Sequence, residues 1–455
     1  MTSNNLSTNM QRYFLQSLKS YWWLMLICGI AYFFAGPVIQ VMLMQNNVNY
    51  ILDESIRQAE LLEQTARWFA AEGFLSYYVL ASGFAILTAI VLFAYLQHKN
   101  QVNFYHSQPI KRQKLFWNQY VIGLLIVFIP MLLMTMVMLI LAFMQGGGAA
   151  VSLSAVAVHL GRIMLFAVFS YSLTILAGQL TGTVLTHICM TAVLHFCVPV
   201  LVLAIQLLCD VFLDTFVTSQ HWFDLSFYFS PLCALVDFLS NMNIYYSSAP
   251  GDWWYAYESI ETLGFSKSIT FLALALFFTV ASWFLYGKRP SEATGNALVY
   301  RISEPVLKFY LMLIAAIVGG ILFEEIGRSF FFFVFGALSC GILVHMVCEV
   351  IIQKDFRAML HRLSHAAVFM VIIFALIAVV RWDLFGYDQY LPEENQVAEI
   401  RCEFSNLPDS RYNYNNDGEV KGYTGEMISP MLAMLGFQSG CFILSNNSNS
   451  PARFP

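Results

Sequence analysis

Nine long apolar runs constrain the fold of this chain more than any other feature of its sequence. A helix needs about 20 apolar residues, in a range of about 17–25, to cross the hydrocarbon core of a bilayer. The runs are apolar all round, whereas strands of a membrane β-barrel alternate in polarity over about ten residues. The sequence therefore predicts an all-α polytopic membrane protein with about nine transmembrane helices. The runs cover residues 21–44, 74–96, 120–144, 160–180, 188–209, 269–286, 306–323, 329–352 and 366–382.

The composition excludes a water-soluble globule. The chain is 58% hydrophobic and only 11% charged, whereas soluble domains are roughly 25% charged. We expect membrane lipid to surround the chain, and we expect no nucleic-acid partner.

The distribution of basic residues predicts the orientation of the chain. Basic residues gather on the cytoplasmic side of membrane proteins. If residues 97–119 are cytoplasmic, alternation of the spans places thirteen basic residues inside: Arg12, Lys19, Lys99, Lys111, Arg112, Lys114, Lys288, Arg289, Arg301, Lys308, Lys354, Arg357 and Arg362. The short connections on the opposite side, counted without the tail, hold only Arg57, Arg67, Arg162, Lys267 and Arg328. The N-terminus is therefore predicted inside and the C-terminal tail outside.

The segments between and after the runs predict smaller elements. Residues 10–22 have an amphipathic pattern, with Phe14, Leu15, Leu18 and Trp22 on one face. This predicts a cytoplasmic N-terminal elbow over residues 1–20, and an ordinary helix extension is the alternative. The outer loop 210–268 contains apolar stretches that are too short to span but suit an interfacial or re-entrant element. Alternation around Ala398 and Ile400 predicts a strand in an extracytoplasmic β-containing tail, residues 383–455. Whether Cys402 and Cys441 pair in this tail stays open.

Sequence signatures of enzymes are absent from the chain. No G-x-x-x-x-G-K-[ST] phosphate loop, H-E-x-x-H zinc motif or G-x-S-x-G nucleophile motif is present. We therefore predict no catalytic, metal or cofactor site and no ATP hydrolysis by this chain alone.

Three ionisable residues within the runs are candidate intramembrane polar sites: His195, His345 and Glu349. Such residues are often functional, for example in proton relays. A structural hydrogen bond is the alternative, and Glu349 lies close enough to the predicted interface to snorkel.

The segment FYHSQPIKRQKLF, residues 104–116, is the most unusual interruption between runs. Pro109 suits the first turn of a helix, with Ser107 or Gln108 as its cap. Ile110, Lys114 and Trp117 would then share a face that could insert into a groove of a partner protein. A solvated basic loop attracted to anionic headgroups is the alternative.

Two segments resemble a known family. FYHSQPIKRQKLFWNQY resembles the FYHSLPIKR-type segment between helices two and three of a subgroup of ABC-2-type exporter permeases from Gram-positive bacteria. GKRPSEATGNALVY, residues 287–300, is similar to a second segment of that subgroup, just after its sixth helix. The order of spans agrees over about residues 10–390.

The resemblance implies an organisation and partners. Residues 21–286 would be a six-helix ABC-2-like transport core with a coupling segment, 97–119, and residues 287–382 a cytoplasmic connector with three further helices. The tail, 383–455, would be shorter than the external domain of relatives. A separate cytoplasmic ABC ATPase, which carries ATP and Mg²⁺, would dock on the coupling segment, and a second permease copy or paralogue would complete the exporter. The docking residues would be Tyr105, His106, Ser107, Gln108, Pro109, Ile110, Lys111 and Arg112, where Gln108 replaces the usual Leu.

These features predict a permease subunit of an ATP-driven exporter in the plasma membrane. An ion-gradient-driven secondary transporter is the first alternative, although neither an internal repeat nor a midplane carboxylate is evident. A non-transporting sensor or scaffold is the second. Drugs, peptides and lipid-like molecules all remain open as substrates.

Overall fold

The structure is a computed structural model that describes most of the helical part of the chain and three short strands. It describes residues 14–48, 53–107, 110–216, 220–240, 265–360, 362–388, 397–401, 442–445 and 451–453. Within these ranges nine helices are long and apolar enough to cross a membrane, which confirms the predicted all-α polytopic fold. The nine spans are Trp22–Asn46, Glu54–Gln97, Arg112–Met144, Leu153–Leu180, Val184–Phe212, Lys267–Lys288, Ser303–Gly327, Phe330–Gln353 and Leu363–Arg381.

Some spans contain more than one helical element, and short helices lie between others. In chain order the helices are α1 Trp22–Phe33, α2 Ile39–Val48, α3 Glu54–Arg67, α4 Gly73–Phe93, α5 Lys99–Ser107, α6 Arg112–Met144, α7 Leu153–Leu180, α8 Val184–Phe212, α9 Gln220–Phe227, α10 Pro231–Ser240, α11 Phe265–Lys288, α12 Ser303–Gly327, α13 Phe330–Gln353 and α14 Leu363–Arg381. The strands are β1 Val397–Arg401, β2 Phe442–Ser445 and β3 Pro451–Arg453.

The chain divides into two compact units. Unit 1 comprises Met1–Pro199 and Leu225–Pro305, and unit 2 comprises Val200–Asp224 and Val306–Pro455. The fifth span contributes to both units, and the division falls at Pro199 inside α8. Proline has no backbone N–H and weakens a helix locally, so it is a natural boundary. Residues 287–305 belong to unit 1, and the predicted domain boundaries stay predictions.

The centre of unit 1 is built by close packing of α4 on α7. Ala81, Ala85 and Ala89 of α4 and Ala167 and Ala177 of α7 are all buried. Small side chains let two membrane helices approach closely, and this contact replaces the hydrophobic effect as the source of attraction inside a bilayer.

The first span contains a kink that a neighbouring tyrosine stabilises. A π-helical turn, Phe34–Val38, separates α1 from α2 and contains Pro37, which cannot donate a backbone hydrogen bond. The Tyr77 hydroxyl of α4 donates a hydrogen bond of 3.1 Å to the carbonyl oxygen of Tyr32. The second span thus satisfies a carbonyl at the kink of the first.

The second span begins outside the predicted apolar run. The Asp53 carboxylate accepts a hydrogen bond from the Ser55 backbone N–H and caps α3, and the bonds to Ser55 lower the pKa of Asp53. A second π-helical turn, Trp68–Glu72, joins α3 to α4. At about 1.5 Å per residue the whole helix is about 66 Å long, roughly twice the hydrocarbon thickness of a bilayer. Its first turns therefore lie beyond that thickness.

The amphipathic segment before the first span is helical at residues 14–20. Phe14 and Leu18 pack against the core of unit 1. Leu15 and Trp22 are 62% and 60% exposed, so only part of the predicted apolar face is covered. Residues 1–13 lie outside the described part of the chain.

Unit 2 has its own apolar core and carries the strands. Its buried residues include Met312 and Ile317 of α12, Phe333 of α13 and Ile373 of α14. β1 pairs antiparallel with β2, and β2 pairs antiparallel with β3. The strand predicted around Ala398 and Ile400 is therefore present over Val397–Arg401. Cys402 and Cys441 lie outside the described residues.

Short helices occupy part of the predicted outer loop 210–268. α9 and α10 both lie in this stretch, and α10 has only 10 residues. About 20 helical residues are needed to cross a bilayer, so α10 does not span it.

Candidate functional site

The segment between the second and third spans contains a short helix that lies earlier in the chain than the sequence predicted. α5 runs over Lys99–Ser107, and α6 begins at Arg112. The prediction of a helix that begins at Pro109 with Ser107 as its cap was wrong, because Ser107 ends α5 and the next helix begins at Arg112. The Ser107 hydroxyl donates to the carbonyl oxygen of Phe104 inside α5, and the alternative cap, Gln108, lies outside the described residues. The reason is that proline disfavours a helical conformation in the residue before it, which favours a helix that ends ahead of Pro109.

The predicted docking residues differ in exposure. Tyr105 is half-buried and packs on Tyr95, with ring centroids 4.6 Å apart. Ser107 and Lys111 are exposed, whereas Ile110 and Arg112 are half-buried. His106 belongs to α5, and Gln108 and Pro109 lie outside the described residues.

Arg112 connects the two segments that stood out in the sequence. Its guanidinium donates hydrogen bonds of 3.2 Å to the carbonyl oxygen of Arg289 and to the Ser291 hydroxyl. Both acceptors belong to GKRPSEATGNALVY, which follows the sixth span. The segment between spans two and three therefore contacts the segment after span six.

Arg289 binds the carbonyl ends of two spans. It is only 3% exposed. Its guanidinium donates to the carbonyl oxygens of Leu96, Gly178, Gln179 and Thr181 at 3.0, 2.7, 3.0 and 2.8 Å. The last carbonyls of a helix have no partner within the helix and carry partial negative charge. Arg289 thus stabilises the end of α7 and joins it to the end of the second span.

The dipoles of four backbone carbonyl groups stabilise the positive charge of Arg289. No carboxylate pairs with it among the residues that the structure describes. Burial lowers the pKa of Arg289 to about 10, which still leaves the guanidinium protonated at neutral pH. We call Arg112, Arg289 and the four carbonyl groups that Arg289 contacts the arginine hub.

The chain after Arg289 pairs with the turn that follows α7. The Gly182 N–H donates to the carbonyl of Ala297, and the Gly295 N–H donates to the carbonyl of Gly182. A β-bridge joins Thr181 to Leu298. A side chain at Gly182 would collide with the carbonyl oxygens of Ala293 and Asn296, so this close backbone approach needs glycine.

A buried histidine extends these contacts to the fifth span. The Gln97 amide lies 2.8 Å from Nδ1 of His187, and Nε2 of His187 lies 3.0 Å from the carbonyl oxygen of Thr174. Spans two, four and five therefore meet beside the arginine hub. His187 could not be predicted from the sequence, because the pattern of a single histidine at the edge of an apolar run is the same as that of an interface residue.

The candidate intramembrane residues do not form one site. His195, in α8, is buried and contacts the carbonyl oxygen of Thr191 within its own helix. His345 and Glu349 lie together in α13, with 3.8 Å between Nε2 and Oε1. The nearest arrangement to a functional cluster is therefore in unit 2.

Glu349 does not snorkel, because a buried lysine pairs with it. Glu349 is fully buried, and its Oε1 lies 2.6 Å from Nζ of Lys308, which is 3% exposed. Gln353 donates to the other carboxylate oxygen at 2.8 Å. The sequence pattern places Lys308 among the cytoplasmic basic residues at the edges of the spans, because it stands near the start of an apolar run. Its helix, α12, turns it towards α13 instead.

The described residues offer no group of three His, Cys, Asp or Glu side chains suited to a metal ion. Comparison of the chain with protein-family models, with curated proteins and with solved structures found no match.

Proposed function

We propose that this chain is the membrane-embedded permease subunit of an ATP-driven exporter. In this account a separate ATPase subunit hydrolyses ATP and docks on the segment between spans two and three. A second copy of the chain or a similar permease completes the transporter in the plasma membrane of a bacterium. The observation that carries the proposal is the connection from Arg112 to Arg289 and from Arg289 to four helix-terminal carbonyls.

This connection supports a mechanical role for the segment. Hydrogen bonds to a charged group contribute about 1.5–3 kcal/mol each, so Arg289 resists separation from the ends of the second and fourth spans. A displacement of the docked segment would act through Arg112 on these spans together. ATP-dependent closure of the partner subunits would then shift the population between two packings of the helices.

The surface character of the segment also fits a protein partner. Phe104 is 63% exposed, and Ser107 and Lys111 of the same segment are also exposed. A segment that combines an exposed aromatic residue with polar and basic side chains suits a small apolar anchor with a polar rim. With the predicted orientation this surface faces the cytoplasm, where a soluble ATPase can reach it.

Copurification of ATPase activity tests the proposal. The full-length protein is tagged, solubilised from its native membranes and assayed for ATP hydrolysis. Pro109→Asp combined with Ile110→Asp should remove the copurifying activity, because two carboxylates disrupt an apolar contact. Leu360→Asp is the matched control, since Leu360 is 64% exposed in a different connection between spans.

Two results would count against the proposal. One is that no ATPase activity accompanies the wild-type protein when it elutes as a folded species. The other is that the doubly substituted protein keeps the full activity.

The buried charges of unit 2 favour a second candidate, an ion-gradient-driven transporter. Lys308 and Glu349 form an ion pair beside the ionisable His345 within candidate spans, and intramembrane ionisable residues often mark ion or proton pathways. Proton-driven transport by the purified chain in liposomes without ATP would support this candidate. If the purified chain shows no such transport, and transport in the presence of the partner depends on ATP, the ion-gradient-driven transporter is excluded.

A further inference from the structure

A groove in unit 1 lies beside the start of the third span, apart from the arginine hub. It has a volume of about 770 Å³, and its lining includes Leu15, Lys114, Trp117, Asn118, Val121 and Trp283. This volume is within the roughly 300–1,000 Å³ of small-molecule sites. The lining residues come from the helix before the first span, the beginning of the third span and the end of the sixth.

The groove offers hydrogen-bond donors without matching acceptors. Asn118 is 6% exposed, and its Nδ2 makes no hydrogen bond to the described residues. Nε1 of Trp283 is likewise without an acceptor in the described part of the chain. Buried donors normally have partners, so two unpaired donors around one groove indicate a ligand that supplies acceptor oxygens.

The charge around the groove favours an anion. Lys114 is exposed, forms no ion pair with any described residue, and is the charged member of the lining. Gln113 and Lys114 also belong to the first turn of α6, which has no side-chain cap and no acidic residue. The N-terminus of a helix carries partial positive charge and exposed N–H groups, which bind anions.

The position of the groove indicates that the anion belongs to a lipid. The walls carry Leu15, Trp117 and Val121, which are 62%, 44% and 42% exposed, and they stand where three candidate spans begin or end. Tryptophan is enriched at the level of the headgroups. A ligand there meets apolar side chains on the membrane side and donors near the headgroups.

We propose that this groove binds an acidic phospholipid of the surrounding membrane. The phosphate pairs with Lys114, rotation of the Asn118 and Trp283 side chains brings their unpaired donors to its oxygens, and an acyl chain packs along Trp117 and Val121. This inference does not require the proposed ATPase partner. The lining residues Gln113, Lys114, Trp117 and Asn118 follow the docking residues 105–112, within the coupling segment 97–119.

Photolabelling in defined bilayers tests the proposal. The full-length protein is placed in phosphatidylcholine nanodiscs that contain a trace of phosphatidylglycerol with a photoreactive acyl chain, and the labelled residues are mapped by mass spectrometry. A phosphatidylcholine probe with the same reactive group controls for charge. We expect the acidic probe to label Trp117 or Val121 about fivefold more, the effect of about one cation near an anionic surface.

A substitution and a competition complete the test. Lys114→Gln should reduce labelling of the groove by the acidic probe about fivefold. Lys19→Gln, an exposed lysine outside the groove lining, should leave it unchanged. On the wild-type protein, unlabelled phosphatidylglycerol should compete and soluble glycerol phosphate should not. The proposal would be overturned if the two probes labelled the groove equally or if the two substitutions had equal effects. Competition by glycerol phosphate would also overturn it.

Discussion

The guanidinium of Arg112 lies 3.2 Å from the carbonyl oxygen of Arg289, across 177 residues of sequence. Arg289 in turn holds four carbonyls at the ends of spans two and four. The segment between spans two and three is thus hydrogen-bonded, through Arg112 at its end, to the buried Arg289 inside unit 1.

Replacement of Arg289 by Met should destabilise the protein. The substitution leaves four carbonyls without their donor and should cost about 3 kcal/mol. Arg289→Lys should recover only part of this loss, because an ammonium group cannot reproduce the guanidinium fork. The midpoint of thermal unfolding in detergent, read by loss of the folded gel-filtration peak, measures the effect.

Arg301→Met is the matched control for Arg289, because Arg301 is exposed in the same connecting segment.

The folded pKa of Arg289, about 10, lies below the ordinary value of 12.5. Its proton is therefore lost from the native state first, so this group makes stability rise only above about pH 10. A difference between wild type and Arg289→Met that changed across neutral pH would contradict the account.

Replacement of Arg112 by Met should loosen the segment without unfolding the spans. Arg112 is half-buried and donates two hydrogen bonds of 3.2 Å, so their loss should cost about 1 kcal/mol. Amide hydrogen exchange over residues 110–116 should become about fivefold faster. Lys111→Met is the control, because its exposed side chain makes no hydrogen bond to the described residues, and equal exchange in both variants would refute the link.

Replacement of Gly182 by Ala should separate the turn after α7 from the segment after the sixth span. The new methyl group would meet the carbonyl oxygens of Ala293 and Asn296, and strain of this kind typically costs about 1–3 kcal/mol. Hydrogen exchange over residues 293–299 should increase. Gly287→Ala adds the same methyl group with nothing nearby and should change little.

The buried pair of Lys308 and Glu349 should show strong energetic coupling. Lys308→Met alone leaves a buried carboxylate without its cation and should cost about 3–5 kcal/mol. The double substitution Lys308→Met with Glu349→Met should recover most of this loss of stability, because it leaves no buried charge without a partner of opposite sign. Thermal unfolding of the two single variants and the double variant measures the coupling, and simple additivity would argue against the pair.

The sequence predicted the spans well because hydrophobic length is a local property. Every predicted run overlaps a helix of sufficient length, and no run extends more than one residue beyond its helix. The start of the second span at Glu54 was not predicted, because α3 is polar and its continuity with α4 depends on the π-helical turn between them.

The polar contacts were harder to predict because they join residues distant in sequence. The sequence pattern predicts that Arg289 and Lys308 are cations of the connecting loops, yet both side chains are buried. Their burial depends on how each helix is rotated and on which carbonyl or carboxylate faces it. No periodicity in a single chain encodes those two facts.

Photo-crosslinking from Gln108 tests the central claim most directly. A photoreactive amino acid at this position in the tagged full-length protein, activated in native membranes, labels whatever contacts the segment between spans two and three. We predict capture of a soluble protein with a phosphate-binding loop, as an ATPase partner requires. Capture of lipid alone by the folded protein, with no copurifying ATPase, would contradict the account and favour the ion-driven transporter.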